Sequence, residues 1–246
     1  MVIAVFDTPD EAARAVAHRV AREVRDRPSL VLGLLTGRTP IATYAELRRL
    51  HAEGGVDFTR TVTFNLDEFA GLAPSHPASF RTYMERHLFS AIPLPPAQIN
   101  TLNGAAADLD VECDRYEAAI EGAGGIGLQL LGIGANGHIG FNEPGDELTA
   151  RTHRVRLAPS TRRDNAALFG GDVEQVPLEA LSMGMGTILT AAAIVLMATG
   201  ERKAQCVDRA VHGPLTTRLP ASFLQLHRRV ELYLDRAAAS LVQPRG

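Results

Sequence analysis

Four short stretches concentrate the side chains able to do chemistry: LLTGRTP at 34–40, FNLDEF at 64–69, LGIGANGHIGFNEPG at 131–145 and ATGERKA at 198–204. In the third, His138 stands among Gly134, Gly137 and Gly140, with Glu143 close behind. Such glycines let the backbone fold tightly around a small ligand and leave the imidazole uncrowded. An imidazole there can act as acid and base near neutral pH, with Glu143 orienting it or relaying a proton. No second histidine lies nearby in sequence, so the pattern does not point to a metal centre. In the second stretch, Asp67 and Glu68 end an apolar run. Alternation along an extended chain sends them to opposite sides, one toward a ligand and the other toward a structural arginine. In the first, a glycine turn between an apolar run and a helical pattern offers backbone N–H groups to an anion, with Thr36, Arg38 and Thr39 adding donors. Taken alone, that stretch is equally an ordinary turn capped by Thr39, and the Asp–Glu pair equally a solvated acidic turn. In the fourth, Lys203 is the only lysine among 25 basic Lys and Arg residues. A compact ammonium does what a planar guanidinium cannot, which makes Lys203 a second candidate for an anion.

The elements around these stretches alternate. Apolar runs at 2–6, 29–35, 61–66, 128–133, 194–199 and 230–234 read as strands, the first at an edge. Between them lie helical patterns, including one opened by Thr8 as cap, Pro9 at the first helical position and Glu11 three residues after the cap. Val16, Val20 and Val24 give that helix its apolar stripe. Further helices are read at 41–52, 110–122 and 201–211, and a proline-rich loop at 91–98. Strands separated by helices imply an α/β chain: one domain over 1–246, with a doubly wound, Rossmann-like, mostly parallel sheet and helices on both faces. Open parallel sheets bind ligands at the carboxyl ends of their strands, where all four stretches fall.

Composition narrows the class. The chain has 246 residues, 46% of them hydrophobic, and a net charge of −3, which gives no footprint for nucleic acid. Cys113 and Cys206 are far apart and form no metal or disulfide pattern, consistent with a reducing cytoplasm. No signal peptide or membrane-spanning run is read. Two phosphate-suited strand ends, a carboxylate and a histidine together point to acid–base chemistry on a small sugar phosphate.

LDEFAGL with HPASFRTYM, GIGANGHIGFNEPG, ALSMGMGTIL and SFLQLH, in this order, resemble the glucosamine-6-phosphate deaminase family, within the 6-phosphogluconolactonase-like superfamily. The likeness runs from about residue 29 to 235. The resemblance implies conversion of glucosamine 6-phosphate to fructose 6-phosphate and ammonia, with no cofactor and no metal. It makes Asp67 the base at C2 and His138 the ring-opening group, supported by Glu143 and Asn136. It gives the 6-phosphate to Thr36, Gly37, Arg38, Thr39 and Lys203, with Gly137 also against the substrate. Three departures stand out. Asn136 occupies a position where the family often has Asp. Ala167, on STRRDNAALF, replaces an expected phosphate-binding arginine, leaving Arg38 or Arg163 to supply the charge. The segment holding Asp146, Glu147, His153 and Val155 lacks the basic set of the allosteric members, so no allosteric site is expected. Alternatives are an isomerase or deaminase for another amino-sugar phosphate, a 6-phosphogluconolactonase-like hydrolase, and a non-catalytic sugar-phosphate sensor. The oligomeric state is open between monomer and homo-oligomer.

Overall fold

The computed structural model describes residues 1–242; residues 243–246, the end of the single-domain reading over 1–246, lie outside the described residues. Among the described residues there are ten strands: β1 Val2–Phe6, β2 Val31–Leu34, β3 Val62–Asn65, β4 Asp67–Phe69, β5 Ile99–Asn100, β6 Leu128–Gly132, β7 His153–Arg156, β8 Glu179–Ser182, β9 Ile194–Ala198 and β10 Val230–Asp235. Seven α-helices accompany them in the described residues: α1 Pro9–Asp26, α2 Ile41–Ala52, α3 Phe80–His87, α4 Leu109–Gly122, α5 Pro159–Asn165, α6 Met185–Leu189 and α7 Ala204–His212.

The expected parallel sheet is there, seven strands in the order β1-β10-β9-β6-β2-β3-β5, every neighbouring pair parallel. β1 is an edge, as its sequence suggests. From β2 the chain turns one way through β3 and β5, then comes back to place β6 on the other side of β2. That reversal opens a crevice between β2 and β6 at their carboxyl ends. The central strands are buried on both faces, with Leu32, Leu34, Leu128, Leu130 and Leu196 in one continuous core, which accounts for their unbroken apolar runs. α1 begins with the anticipated reciprocal cap: Thr8 Oγ1 accepts from Glu11 N, and Glu11 accepts from the backbone N–H groups of Asp7 and Thr8. Its valine stripe is buried, and the Thr43 hydroxyl of α2 donates to Ala13 O of α1.

A second sheet went unread in the sequence. β4, β8 and β7 form an antiparallel three-stranded sheet that pairs Asp67 with Ser182 and Glu68 with Leu181. It carries its own apolar cluster, in which the Phe69 ring meets Phe80 and Phe141 at centroid distances of 4.7 and 5.6 Å. Leu66 joins the two sheets: its N–H donates to Leu34 O of β2, and its carbonyl accepts from Met183 N.

The helix read over 201–211 is divided, with Glu201–Lys203 forming a 3-10 turn and α7 following. The proline-rich loop at 91–98 begins at the end of one 3-10 turn, Phe89–Ala91, and closes on another, Pro96–Gln98.

Candidate active site

One cleft of about 1040 Å³ opens at the carboxyl ends of β2, β3, β6 and β9, and all four sequence stretches contribute to it. Thr36, Gly37, Arg38, Thr39, Asp67, His138 and Lys203 line it.

The turn after β2 is built for an anion. Gly37 has φ +103°, which lets the chain reverse, and the N–H groups of Gly37, Arg38 and Thr39 donate to no protein acceptor among the described residues. The turn's carbonyls are held elsewhere: Tyr44 donates its hydroxyl to Leu35 O at 2.5 Å and Tyr83 donates to Gly37 O at 2.7 Å. Thr39 is not the helix cap; Pro40 takes the cap position of α2 without a side-chain hydrogen bond, so the N-terminus of a twelve-residue helix is left open toward the crevice. Across the cleft, Gly200 N–H is fixed by both Asp235 oxygens at 3.0 and 3.1 Å. Lys203 follows at the cap position of α7, half-buried, and burial pushes its ammonium below the usual lysine range.

Asp67 and Glu68 do point apart, but Glu68 finds no arginine. Its carboxylate accepts from the backbone N–H groups of Phe69 and Phe80 at 2.9 Å and of Arg81 at 3.0 Å. It sits at the N-terminus of α3, where Ser79 Oγ accepts from Thr82 N. Asp67 faces the cleft, buried, with Oδ1 bonded to nothing among the described residues. Burial, aided by the neighbouring Glu68 charge, pushes the Asp67 carboxyl up to about 8. Burial raises Glu68 to about 7 against the pull of its three N–H donors.

The glycine loop folds back on itself. Gly134 N donates to His138 O and Gly137 N to Gly134 O, both at 3.0 Å. A Cβ at Gly134 would collide with the His138 ring, so that glycine makes room for the imidazole. Gly137 does something else than expected. It is buried, has φ +89° and lies under Leu219, outside the cleft; its carbonyl accepts from Ala221 N. Close packing of the 219–221 segment, and not contact with a ligand, is what requires glycine there. Behind the ring, His138 Nδ1 lies 3.5 Å from Glu143 Oε2, at ion-pair distance and without a hydrogen bond in this geometry. Glu143 and Asn136 do not line the cleft; they form its second layer. Asn136 bonds Glu143 and the backbone N–H of His138, not the imidazole itself.

Two contributions were not anticipated. Thr161 of α5 donates its hydroxyl to Glu143. Tyr83, Arg86 and His87 bring one face of α3 into the cleft. The signal for the latter was present in Ser79 as a cap followed by an eight-residue helical run. Arg163 and Ala167 both line the cleft, as do Arg38, Arg86 and Arg202. None of these four arginines forms a salt bridge among the described residues. No group of three or more His, Cys, Asp or Glu side chains among the described residues could hold a metal ion.

Residues 7–233 match the family model described as glucosamine-6-phosphate isomerases/6-phosphogluconolactonase. The chain belongs to that family. Within the glucosamine-6-phosphate isomerase/6-phosphogluconolactonase family it is 48% identical over 239 residues to glucosamine-6-phosphate deaminase 2 of Giardia intestinalis, covering 97% of this chain and 91% of that one. It is 46% identical to the glucosamine-6-phosphate deaminase of Alkaliphilus oremlandii, covering 98% and 100%. A solved structure of a monomeric glucosamine-6-phosphate deaminase superposes with a TM-score of 0.95 at 42% identity, covering 98% of this chain and all of that one. The 6-phosphogluconolactonase of Trypanosoma cruzi superposes with a TM-score of 0.81 at 18% identity, a likeness of the fold alone. In this family member no described helix is long and apolar enough to cross a membrane.

Proposed function

We propose that this chain is a glucosamine-6-phosphate deaminase, an aldose–ketose isomerase that releases ammonia and fructose 6-phosphate. One observation carries the reading: a buried carboxylate with a free oxygen, Asp67 Oδ1, shares a cleft with an imidazole and with an anion turn. The phosphate dianion sits on the free N–H groups of Gly37, Arg38 and Thr39, with the Thr36 and Thr39 hydroxyls and the Lys203 ammonium around it. Arg38 supplies the guanidinium that Ala167 does not. His138 moves a proton between the ring oxygen and the anomeric hydroxyl and opens the pyranose, and Glu143 takes up the charge that forms on the imidazole. Asp67, as carboxylate, takes the C2 proton of the open-chain sugar and delivers it to C1. The C2 ammonium gives up a proton to O1, leaving an imine at C2; water adds to that carbon, its oxygen becomes the C2 carbonyl, and its two protons leave on nitrogen as the C2–N bond breaks. Asp67 must be ionised to begin, and an amino sugar assists: its ammonium at C2 arrives beside the carboxyl and favours the charged form.

The relatives named glucosamine-6-phosphate deaminase support this substrate over the lactone, since the lactonase likeness is in fold only. The monomeric deaminase neighbour supports action as a monomer. The test is ammonia release from a panel of amino-sugar phosphates, with 6-phosphogluconolactone hydrolysis measured alongside. Ammonia from glucosamine 6-phosphate is expected. Hydrolysis of the lactone without ammonia from any amino sugar overturns the reading.

A further inference from the structure

The Glu143 carboxylate is held from three sides. Asn136 Nδ2 donates to Oε2 at 2.9 Å, the Thr161 hydroxyl donates to Oε1, and His138 Nδ1 stands 3.5 Å from Oε2. The orientation of the Asn136 amide is set from its other end: Oδ1 accepts the backbone N–H of His138 at 3.1 Å, so the NH2 group has to face the carboxylate. His138 is the one titratable group within ion-pair distance of Glu143 among the described residues. Of the arginines of α5, Arg162 donates to Val173 O and Val176 O, and Arg163 lines the cleft without a salt bridge among the described residues; Arg218 pairs with Asp146. Against the upward push of burial, His138, Thr161 and Asn136 hold the Glu143 carboxyl below its usual range.

We propose that Asn136 is a positioning residue that keeps Glu143 an ionised proton acceptor for the His138 imidazole, by presenting an N–H that no change of pH withdraws. An aspartate here would keep the bond from His138 N–H and lose the one to Glu143. Its second oxygen would stand where Nδ2 now stands, at hydrogen-bond distance from Oε2. Two carboxylates that close share one proton and titrate as a pair, with the upper step raised. Below that step a proton held between them occupies the oxygen facing His138, and ring opening slows there while C2 chemistry at Asp67 is untouched. Asn136 therefore removes one titrating group from the ring-opening step, which widens the pH range of that step on its acid side. The effect on catalysis rests on the assignment of ring opening to His138; the effect on Glu143 itself does not.

The test uses Asn136→Asp in the whole protein, with two measurements. The first is the ratio of wild-type to variant kcat/KM on the cyclic sugar between about pH 5 and 9, in which the titration of Asp67 cancels. The ratio is expected to grow about tenfold per unit below the raised step of the pair, the dependence for one proton, and to level off above it. The second is the carboxyl 13C shift of Glu143, assigned with Glu143→Gln. It should titrate below the usual carboxylate range in the wild type and show a step above that range in Asn136→Asp. Asn136→Ala removes the N–H without adding charge and should move the Glu143 step up by less, which keeps the proposal testable if the aspartate variant does not fold. A pH-independent ratio, or a Glu143 titration that neither variant moves, overturns the proposal. If no ammonia is released from any substrate, the carboxyl titration still decides it.

Discussion

Replacing Asp67 by Asn separates what the cleft carboxylate costs the fold from what it does for the reaction. Asp67 is buried, its Oδ1 has no partner, and burial lifts its carboxyl from 3.8 to about 8. A carboxyl raised above its unfolded value stabilises the fold fully only below that unfolded value, and the contribution is lost as pH climbs toward the folded one. At pH 7 the unfolded chain has released this proton while the folded chain still holds it. The difference is about 3 pH units, or ~4 kcal/mol at about 1.4 kcal/mol per unit. The share of the shift that belongs to Glu68 brings the realised figure to roughly 2–4 kcal/mol. Asparagine carries no such penalty. The variant should therefore be more stable than the parent at pH 7, by on the order of 5–10 °C in melting temperature for a chain of this size. At pH 5 the gap narrows to at most ~2 kcal/mol, because pH 5 stands only about one unit above the unfolded value and keeping the proton there costs the folded chain less. The same variant should lose roughly 10²–10⁴-fold in ammonia release, the range for a general base. Thermal melts at both pH values and a coupled ammonia assay check both halves. A variant less stable than the parent, or one whose advantage is equal at pH 5 and pH 7, refutes the picture of a carboxyl held protonated by burial.

Three further substitutions probe the remaining groups. His138→Gln should slow turnover of the cyclic sugar more than that of an open-chain analogue; equal losses on both would remove the ring-opening role. Arg38→Gly should weaken glucosamine 6-phosphate binding roughly ten- to a hundredfold, as expected for one charge-assisted donor worth about 1.5–3 kcal/mol, and adding Ala167→Arg should restore part of it. Unchanged calorimetric affinity in Arg38→Gly would return the phosphate charge to Arg163 or Arg202. Lys203→Arg should raise KM although the charge is kept, because a half-buried compact ammonium cannot be replaced by a planar fork without displacing its surroundings; an unchanged KM would place Lys203 among surface charges.

The parallel sheet was legible because its strands are buried on both faces and therefore read as unbroken apolar runs, such as 31–34 and 194–198. The four chemical stretches were legible for a related reason: glycine and polar residues directly after such a run mark a strand end. The small sheet was not, since β4 has three residues and β7 and β8 four each, too short for an alternation to declare itself. Without that sheet the surroundings of Glu68 could not be foreseen. An arginine was the natural partner to expect for a carboxylate in a chain rich in arginine, yet backbone N–H groups of a helix twelve residues on do the work. Gly137 shows the reverse limit. It stands in the same loop as Gly134, and the packing of Leu219 distinguishes a glycine that admits a neighbouring chain segment from one that admits the imidazole.

The junction at Leu66 has a consequence for how the protein becomes active during folding. Asp67 belongs to a strand whose partner is β8, and the chain between Asp67 and Ser182 must close before that pairing exists. Closing so long a loop is entropically slow, and contacts of such separation form late. A nascent or refolding chain can thus assemble β2, β3 and β6 with their turns in place while the carboxylate still swings free beyond Leu66. Recovery of turnover should trail recovery of the main sheet, because the pairing that aims the carboxylate is among the last to form.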